Sequence, residues 1–211
     1  MAMLTLYHAA PSRSAIVHWM LEEVGEPFEL RLLDLKKGEG HTPEYLAINP
    51  LGKVPVLKHG DTIISEAAAI CTYLADEFPH ARLNIPVGNP LRGVYLKWLF
   101  FGPSCVEPAI MDKAFPRKEP PPPGALGSGD YDTVVDILAK AAAQANPYLL
   151  GEQFTAADVV IGSGLRWGTM FNLLPQRSEF TGYLARLADR PTLQRAVAKD
   201  AELQKQRDVG G

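Results

Sequence analysis

The stretch Asn49-Pro50-Leu51-Gly52-Lys53-Val54-Pro55-Val56-Leu57 sets a proline inside what otherwise reads as a short apolar strand. Proline donates no backbone hydrogen bond, so it is confined to a strand start, an edge or a bulge. An X–Pro bond reaches the cis form for only about 0.5–1 kcal/mol. A cis bond at Val54–Pro55 would turn the chain sharply and point the polar groups of Val54 outward. Shortly after, Ile64-Ser65-Glu66-Ala67-Ala68-Ala69-Ile70 reads as a strand end running into a helix start. Free N–H groups at a helix start favour an anion. Together the two stretches predict a place to hold an extended, anionic, peptide-like ligand.

The elements around them follow from periodicity and punctuation. Leu4 to His8 is β-prone, and Pro11-Ser12-Arg13-Ser14 breaks it. Ala15 to Val24 is helical, with Val17, Leu21 and Val24 on one face and Gly25 as its stop. Phe28 to Leu35 alternates as a second strand, Lys36 to His41 is a charged loop, and Thr42 to Leu46 is a short helix. Val54 to Lys58 and Thr62 to Ile64 form a hairpin around His59-Gly60-Asp61. A helix from Glu66 to Phe78 takes Ser65 as its N-cap. The order is β-α-β-α-β-β-α, a thioredoxin-like arrangement with one parallel pair and an antiparallel hairpin.

Pro79 to Pro90 suits a linker, which divides the chain into a domain at 1–80, a linker at 81–90 and a domain at 91–211. Beyond it no strand reads convincingly. Leu91 to Phe101, Asp130 to Ala145, Thr155 to Phe171 and Tyr183 to Gln206 (interrupted at Arg190-Pro191) predict an all-α second half, a helical bundle. Pro116 to Gly124 reads as a stiff solvated spacer. Thr155 and Asp158 have the spacing of a capping box, a folding signal.

Composition narrows the function. A net charge of −3 over 211 residues, with no basic block, argues against nucleic-acid binding by charge alone. No apolar run reaches the roughly 18 residues of a bilayer span. The first residues lack the basic region and apolar core of a secretory signal, so the expected setting is cytoplasmic. Cys71 and Cys105 form no Cys-x-x-Cys and read as reduced thiols packed as small hydrophobes.

Three segments carry a resemblance to a known family. Asn49 to Leu57 resembles the cis-proline loop of the cytosolic glutathione S-transferases, the bacterial ones in particular. Ser65 to Ile70 resembles their Glu-Ser-x-Ala-Ile segment, and Phe154-Thr155-Ala156-Ala157-Asp158-Val159 their carboxy-terminal capping box. Order and spacing agree over nearly the whole chain. The resemblance implies a homodimer that takes glutathione as cosubstrate, uses no metal and transfers the thiolate to a small hydrophobic electrophile in detoxification. A fold of this kind hosts other work. The alternatives are another glutathione-dependent enzyme (peroxidase, isomerase or dehalogenase) and a non-enzymatic interaction protein.

The resemblance also assigns roles. Val54, freed by Pro55, offers its N–H and C=O to the cysteinyl part of glutathione as strand-like pairing. The start of the helix at Ala67 takes the γ-glutamyl carboxylate and Glu66 its ammonium. The family's serine after the glutamate is Ala67 here, so one hydroxyl contact is missing, and Ser65 is the candidate to replace it. Lys53 and His41 are candidates for the glycine carboxylate. The nucleophile is glutathione's own thiol, ionised with the help of a hydroxyl. The candidates for that hydroxyl are Ser12, then Ser14, then Tyr7; each also has a plain reading, the serines as caps and Tyr7 as core. The family position where relatives carry cysteine falls on Arg13, which argues against a cysteine mechanism. Trp98, Phe101, Cys105 and Trp167 sit in the half that walls the electrophile pocket in the family.

Overall fold

The structure is a computed structural model that describes residues 2–119 and 121–209. The chain packs as two compact units, Met1–Ala81 with Arg190–Gly211, and Arg82–Asp189.

The first unit is built on a four-stranded sheet in the order β2-β1-β3-β4. Its strands are β1 (Leu4–His8), β2 (Phe28–Leu32), β3 (Val56–His59) and β4 (Thr62–Ser65). β1 and β2 run parallel across helix α1 (Ser14–Val24), and β3 and β4 are antiparallel to their neighbours. α2 (Pro43–Leu46) precedes β3 and α3 (Ala67–Glu77) follows β4, which completes the thioredoxin-like order. Leu6, Val17, Leu21, Leu57, Ile70 and Leu74 are wholly buried between sheet and helices.

Local chemistry moves two expected boundaries. β2 stops at Leu32 rather than Leu35, because Asp34 Oδ1 accepts the N–H groups of Lys36 and Lys37 at 3.0 and 3.2 Å in a turn of its own. α3 has Glu66, not Ser65, at its N-cap position. Ser65 is the last residue of β4, paired with Val56, and its strand position removes it from the cap. Glu66 makes the turn itself at φ 68°, a backbone region that non-glycine residues seldom occupy.

The last helix, α9 (Pro191–Val209), packs with the first unit although chain order puts it in the second half. The reason lies in α1. Glu23, with its side chain 3% exposed, takes a two-pronged pair from Arg190 at 2.7 and 2.6 Å. The same carboxylate accepts Trp19 Nε1 at 2.9 Å and the hydroxyl of Thr192, while Glu22 accepts Arg195 Nε at 2.7 Å.

The second unit is helical: α4 (Arg92–Phe101), a π-turn Gly102–Val106, α5 (Glu107–Ala114), α6 (Tyr131–Gln144), α7 (Ala156–Met170) and α8 (Ser178–Ala188). α5 was not expected, since Pro103 and Pro108 punctuate the sequence; Pro108 is tolerated because it falls in the first turn. α8 begins at Ser178, before the expected Tyr183, and the break before Pro191 is as expected. Asp130 caps α6 by accepting Thr133 N–H at 2.9 Å. The capping box at Thr155 and Asp158 opens α7. In the spacer, Pro123–Ala125 is a 3-10 turn and Pro120 lies outside the described residues. Among the described residues no helix is long and apolar enough to cross a membrane.

Candidate functional site

The register of the sheet gathers the candidate residues at one end of the first unit. Tyr7, Val56 and Ser65 lie side by side across β1, β3 and β4. β1 and β4 end there and β3 begins there. The turn after β1, the Val54-Pro55 loop and the start of α3 therefore emerge from the same edge.

The loop is held from behind. The Val54–Pro55 bond is cis, and Val54 stands two residues ahead of the paired register of β3. The Lys53 carbonyl accepts both Tyr45 Oη and Asn49 Nδ2 at 2.7 Å. Burial pushes the Tyr45 phenol up to about 12, so it remains a donor at any ordinary pH. Gly52 has φ 65°, and a Cβ there would come within 2.8 Å of the His41 ring and 2.7 Å of the Gly40 carbonyl oxygen. Only glycine lets these two loops pass so closely. That approach sets His41 beside Lys53, both exposed. Ser65 and Ala67 are half-buried and Glu66 is exposed.

The turn after β1 joins its serines, through His8, to side chains distant in sequence. Ser12 is half-buried, and its Oγ lies 2.7 Å from Ser14 Oγ and accepts Ser14 N–H at 3.1 Å. Ser14, wholly buried, stands 2.8 Å from His8 Nδ1 and accepts the N–H of Ala9 at 3.1 Å. Neither serine is the residue before α1; that position is Arg13, with no side-chain cap. Tyr7 is half-buried on the other face of β1, its ring 5.6 Å from that of Tyr45.

Behind the serines lie His8, His18 and Asp200, none of them expected. His18 Nδ1 is 2.6 Å from Asp200 Oδ1, and His8 Nε2 is 3.1 Å from the same oxygen. The His8 contact falls outside hydrogen-bond geometry, so Nε2 approaches the carboxylate without a formed bond. Burial works to raise the Asp200 pKa, but the bonds and charges of His18 and His8 outweigh it and hold the carboxyl at about 2. The three donor atoms lie within 4.8 Å of one another, as metal ligands can. The 2.6 Å spacing, however, is a hydrogen-bond length, too short for two corners of a tetrahedral zinc shell with bonds of roughly 2.0–2.2 Å. His8 was the legible half of this cluster, since it follows Leu4 and Leu6 on the inward side of β1. Asp200, 192 positions farther on in an exposed-looking helix, left no signal.

Cys71 is wholly buried, and burial raises its thiol far above the usual range. Cys105 lies in the π-turn of the second unit. In that unit Trp98 is buried with Phe101 against it at 5.5 Å, while Trp167 is 37% exposed and stands 4.7 Å from Phe171.

Comparison with known proteins agrees in sequence and in fold. Residues 2–76 match the family model for the glutathione S-transferase N-terminal domain. Glutathione S-transferase GstA of Escherichia coli O157:H7 is 29% identical over 206 residues, 93% of this chain and 98% of the relative. A glutathione transferase of Methylococcus capsulatus superposes with a TM-score of 0.77 at 28% identity, over 94% of this chain and 98% of the other. A glutathione transferase homologue from Sulfitobacter, solved with bound glutathione, superposes at 0.74 with 25% identity, over 96% and 100%.

Proposed function

This chain belongs to the glutathione S-transferase family, of the bacterial type, and from there we propose that it binds glutathione at the sheet edge and transfers its thiolate to a small apolar electrophile. The observation that carries this reading is the register of Tyr7, Val56 and Ser65, which brings the turn after β1, the Val54-Pro55 loop and the start of α3 to one end of the sheet. Val54 pairs through its backbone with the cysteinyl residue. Ala67 N–H and the start of α3 take the γ-glutamyl carboxylate, and exposed Glu66 takes the ammonium. Ser65, at the end of β4, stands where its hydroxyl supplements them. Lys53 and His41, side by side, face the glycine carboxylate.

A free thiol has a pKa near about 8.5, and only the thiolate attacks. Ser12 is the half-buried hydroxyl of the turn, and it donates to the sulfur; Ser14 is enclosed and Tyr7 lies on the opposite face of β1. With Cys71 buried, Cys105 in the π-turn of the helical unit and no cysteine in the Pro11 to Ser14 turn, the reactive sulfur in this reading is the ligand's own. The exposed aromatics Trp167 and Phe171 are the helical unit's candidates for holding the electrophile. A cytoplasmic homodimer engaged in detoxification is the setting that family membership supports, and sedimentation measures the oligomer.

Calorimetry with glutathione, followed by a panel of apolar electrophiles, tests the reading. Saturable binding with conjugation is expected. Binding without conjugation would move the activity to peroxide reduction, isomerisation or dehalogenation, and no binding would leave an interaction protein.

A further inference from the structure

We propose that the thiol proton of bound glutathione is taken up by His8 through the hydroxyls of Ser12 and Ser14, with Asp200 and His18 holding the imidazolium that results. The proposal rests on the reading above that Ser12 meets the sulfur.

One orientation of these hydrogen bonds serves the whole chain. Asp200 is ionised and its oxygen lies 3.1 Å from Nε2, so the relay places the His8 proton on Nε2, toward the carboxylate. In the neutral ring Nδ1 is then an acceptor, and the buried Ser14 hydroxyl donates to it at 2.8 Å rather than to the Ala9 carbonyl at 3.3 Å. Ser14 Oγ accepts Ala9 N–H at 3.1 Å and the Ser12 hydroxyl at 2.7 Å. Ser12 Oγ accepts Ser14 N–H at 3.1 Å and keeps one lone pair for a donor arriving from the site. A thiol S–H is such a donor.

When the thiol ionises, the S–H bond breaks and leaves its electron pair on sulfur. Ser12 gains that proton and passes its own to Ser14; Ser14 passes its own to His8 Nδ1. Nothing is oxidised or reduced, and the charge of the complex does not change: neutral thiol and neutral imidazole become thiolate and imidazolium. Every hydroxyl now points the other way, so Ser12 donates to the thiolate it has just helped to form. Thiolate formation and thiolate stabilisation are one event.

The surroundings of His8 suit the charged product. α9 contributes Asp200, and Arg207 on the same helix donates to the Ala10 carbonyl at 2.6 Å. α1 contributes His18, its ring 5.3 Å from that of His8 and bonded to the same carboxylate, and exposed Arg13 in the turn. From β2 the residue opposite His8 is apolar Leu32. His8 does not touch the substrate; it acts through the two serines.

The test compares ultraviolet thiolate absorbance with protons released, read by a pH dye in weakly buffered solution as the whole protein is mixed with glutathione. The wild type is expected to form thiolate while releasing well under one proton per thiolate. His8→Gln is expected to release a full proton per thiolate and to need a pH at least about one unit higher for half-ionisation, a tenfold loss of thiolate below it. Should His8→Gln fail to fold, Ser14→Ala interrupts the same chain and is expected to give the same two changes. A full proton released by the wild type, or an unshifted pH profile in the folded variants, overturns the relay while glutathione binding stands. Absence of calorimetric binding overturns the glutathione reading and the relay with it.

Discussion

Asp158 and Asp200 are both carboxylates withdrawn from water, one in each unit, and they are held in opposite ways. Asp158, with no exposed surface, accepts Thr155 N–H at 2.9 Å, Thr155 Oγ1 at 3.1 Å, Leu149 N–H at 2.9 Å and Tyr183 Oη at 2.8 Å. All four donors are neutral, and burial wins over them, raising the pKa. Asp200 meets two imidazoles, and these win over burial. A carboxylate tied to fixed neutral donors is a fastener for the start of α7. A carboxylate tied to imidazoles faces side chains able to take up or give a proton, and that is where chemistry is to be sought.

The largest effect that could break this contrast is at Asp158. Asp158→Ala strands three donors, two of them buried, besides losing a cap, and is expected to cost about 3 kcal/mol or more in urea unfolding. A loss of only about 1 kcal/mol would reduce Asp158 to an ordinary cap. Glutathione affinity per folded molecule is expected to be unchanged.

The acid limb of stability sharpens the contrast next. The folded Asp200 pKa, about 2, lies below an unfolded value near 3.9, so the unfolded chain takes up the proton first as pH falls. Asp200 thus contributes about 2 kcal/mol that is present above pH of about 4 and lost as pH falls through 2. Asp200→Asn should flatten that decline in unfolding measured against pH. Asp158 has the opposite sign: its folded pKa is raised, so its titration removes stability as pH rises through the folded value.

Smaller effects separate strain from packing within the first unit. Glu66→Gly releases a left-handed backbone position and is expected to stabilise by about 1 kcal/mol in thermal unfolding. The same change should weaken glutathione binding roughly tenfold in calorimetry through loss of one charge-assisted bond. Stabilisation without weaker binding would leave Glu66 as a turn residue only. Tyr45→Phe removes one of the two donors to the Lys53 carbonyl, and a loss of about 1 kcal/mol or less is expected, since Asn49 still holds it.

Much of this was legible from the chain alone, wherever the signal is local. Period-two alternation marked β1, the break at Gly25 ended α1 at φ 79°, and the Thr155 to Asp158 spacing opened α7. The parallel β1–β2 pair and the antiparallel β3–β4 hairpin followed from the rules for β-α-β units and tight hairpins, while the antiparallel pairing of β1 with β3 did not. What escaped depends on partners distant in sequence. The N-cap of α3 moved to Glu66 because pairing with Val56 keeps Ser65 in β4. α9 joined the first unit because Glu23 and Arg190, 167 positions apart, fit together. The link from Ser12 to Asp200 was invisible for the same reason: only its first three members lie near one another in the chain.

The measurement closest to the central claim is the ultraviolet absorbance of bound glutathione followed against pH, in the wild type and in Ser12→Ala. The wild type is expected to hold the thiol half-ionised at least about one unit below its free value near 8.5, and Ser12→Ala to return it toward that value with binding retained. An unchanged midpoint in Ser12→Ala, with turnover also unchanged, would contradict the assignment of the sulfur to Ser12.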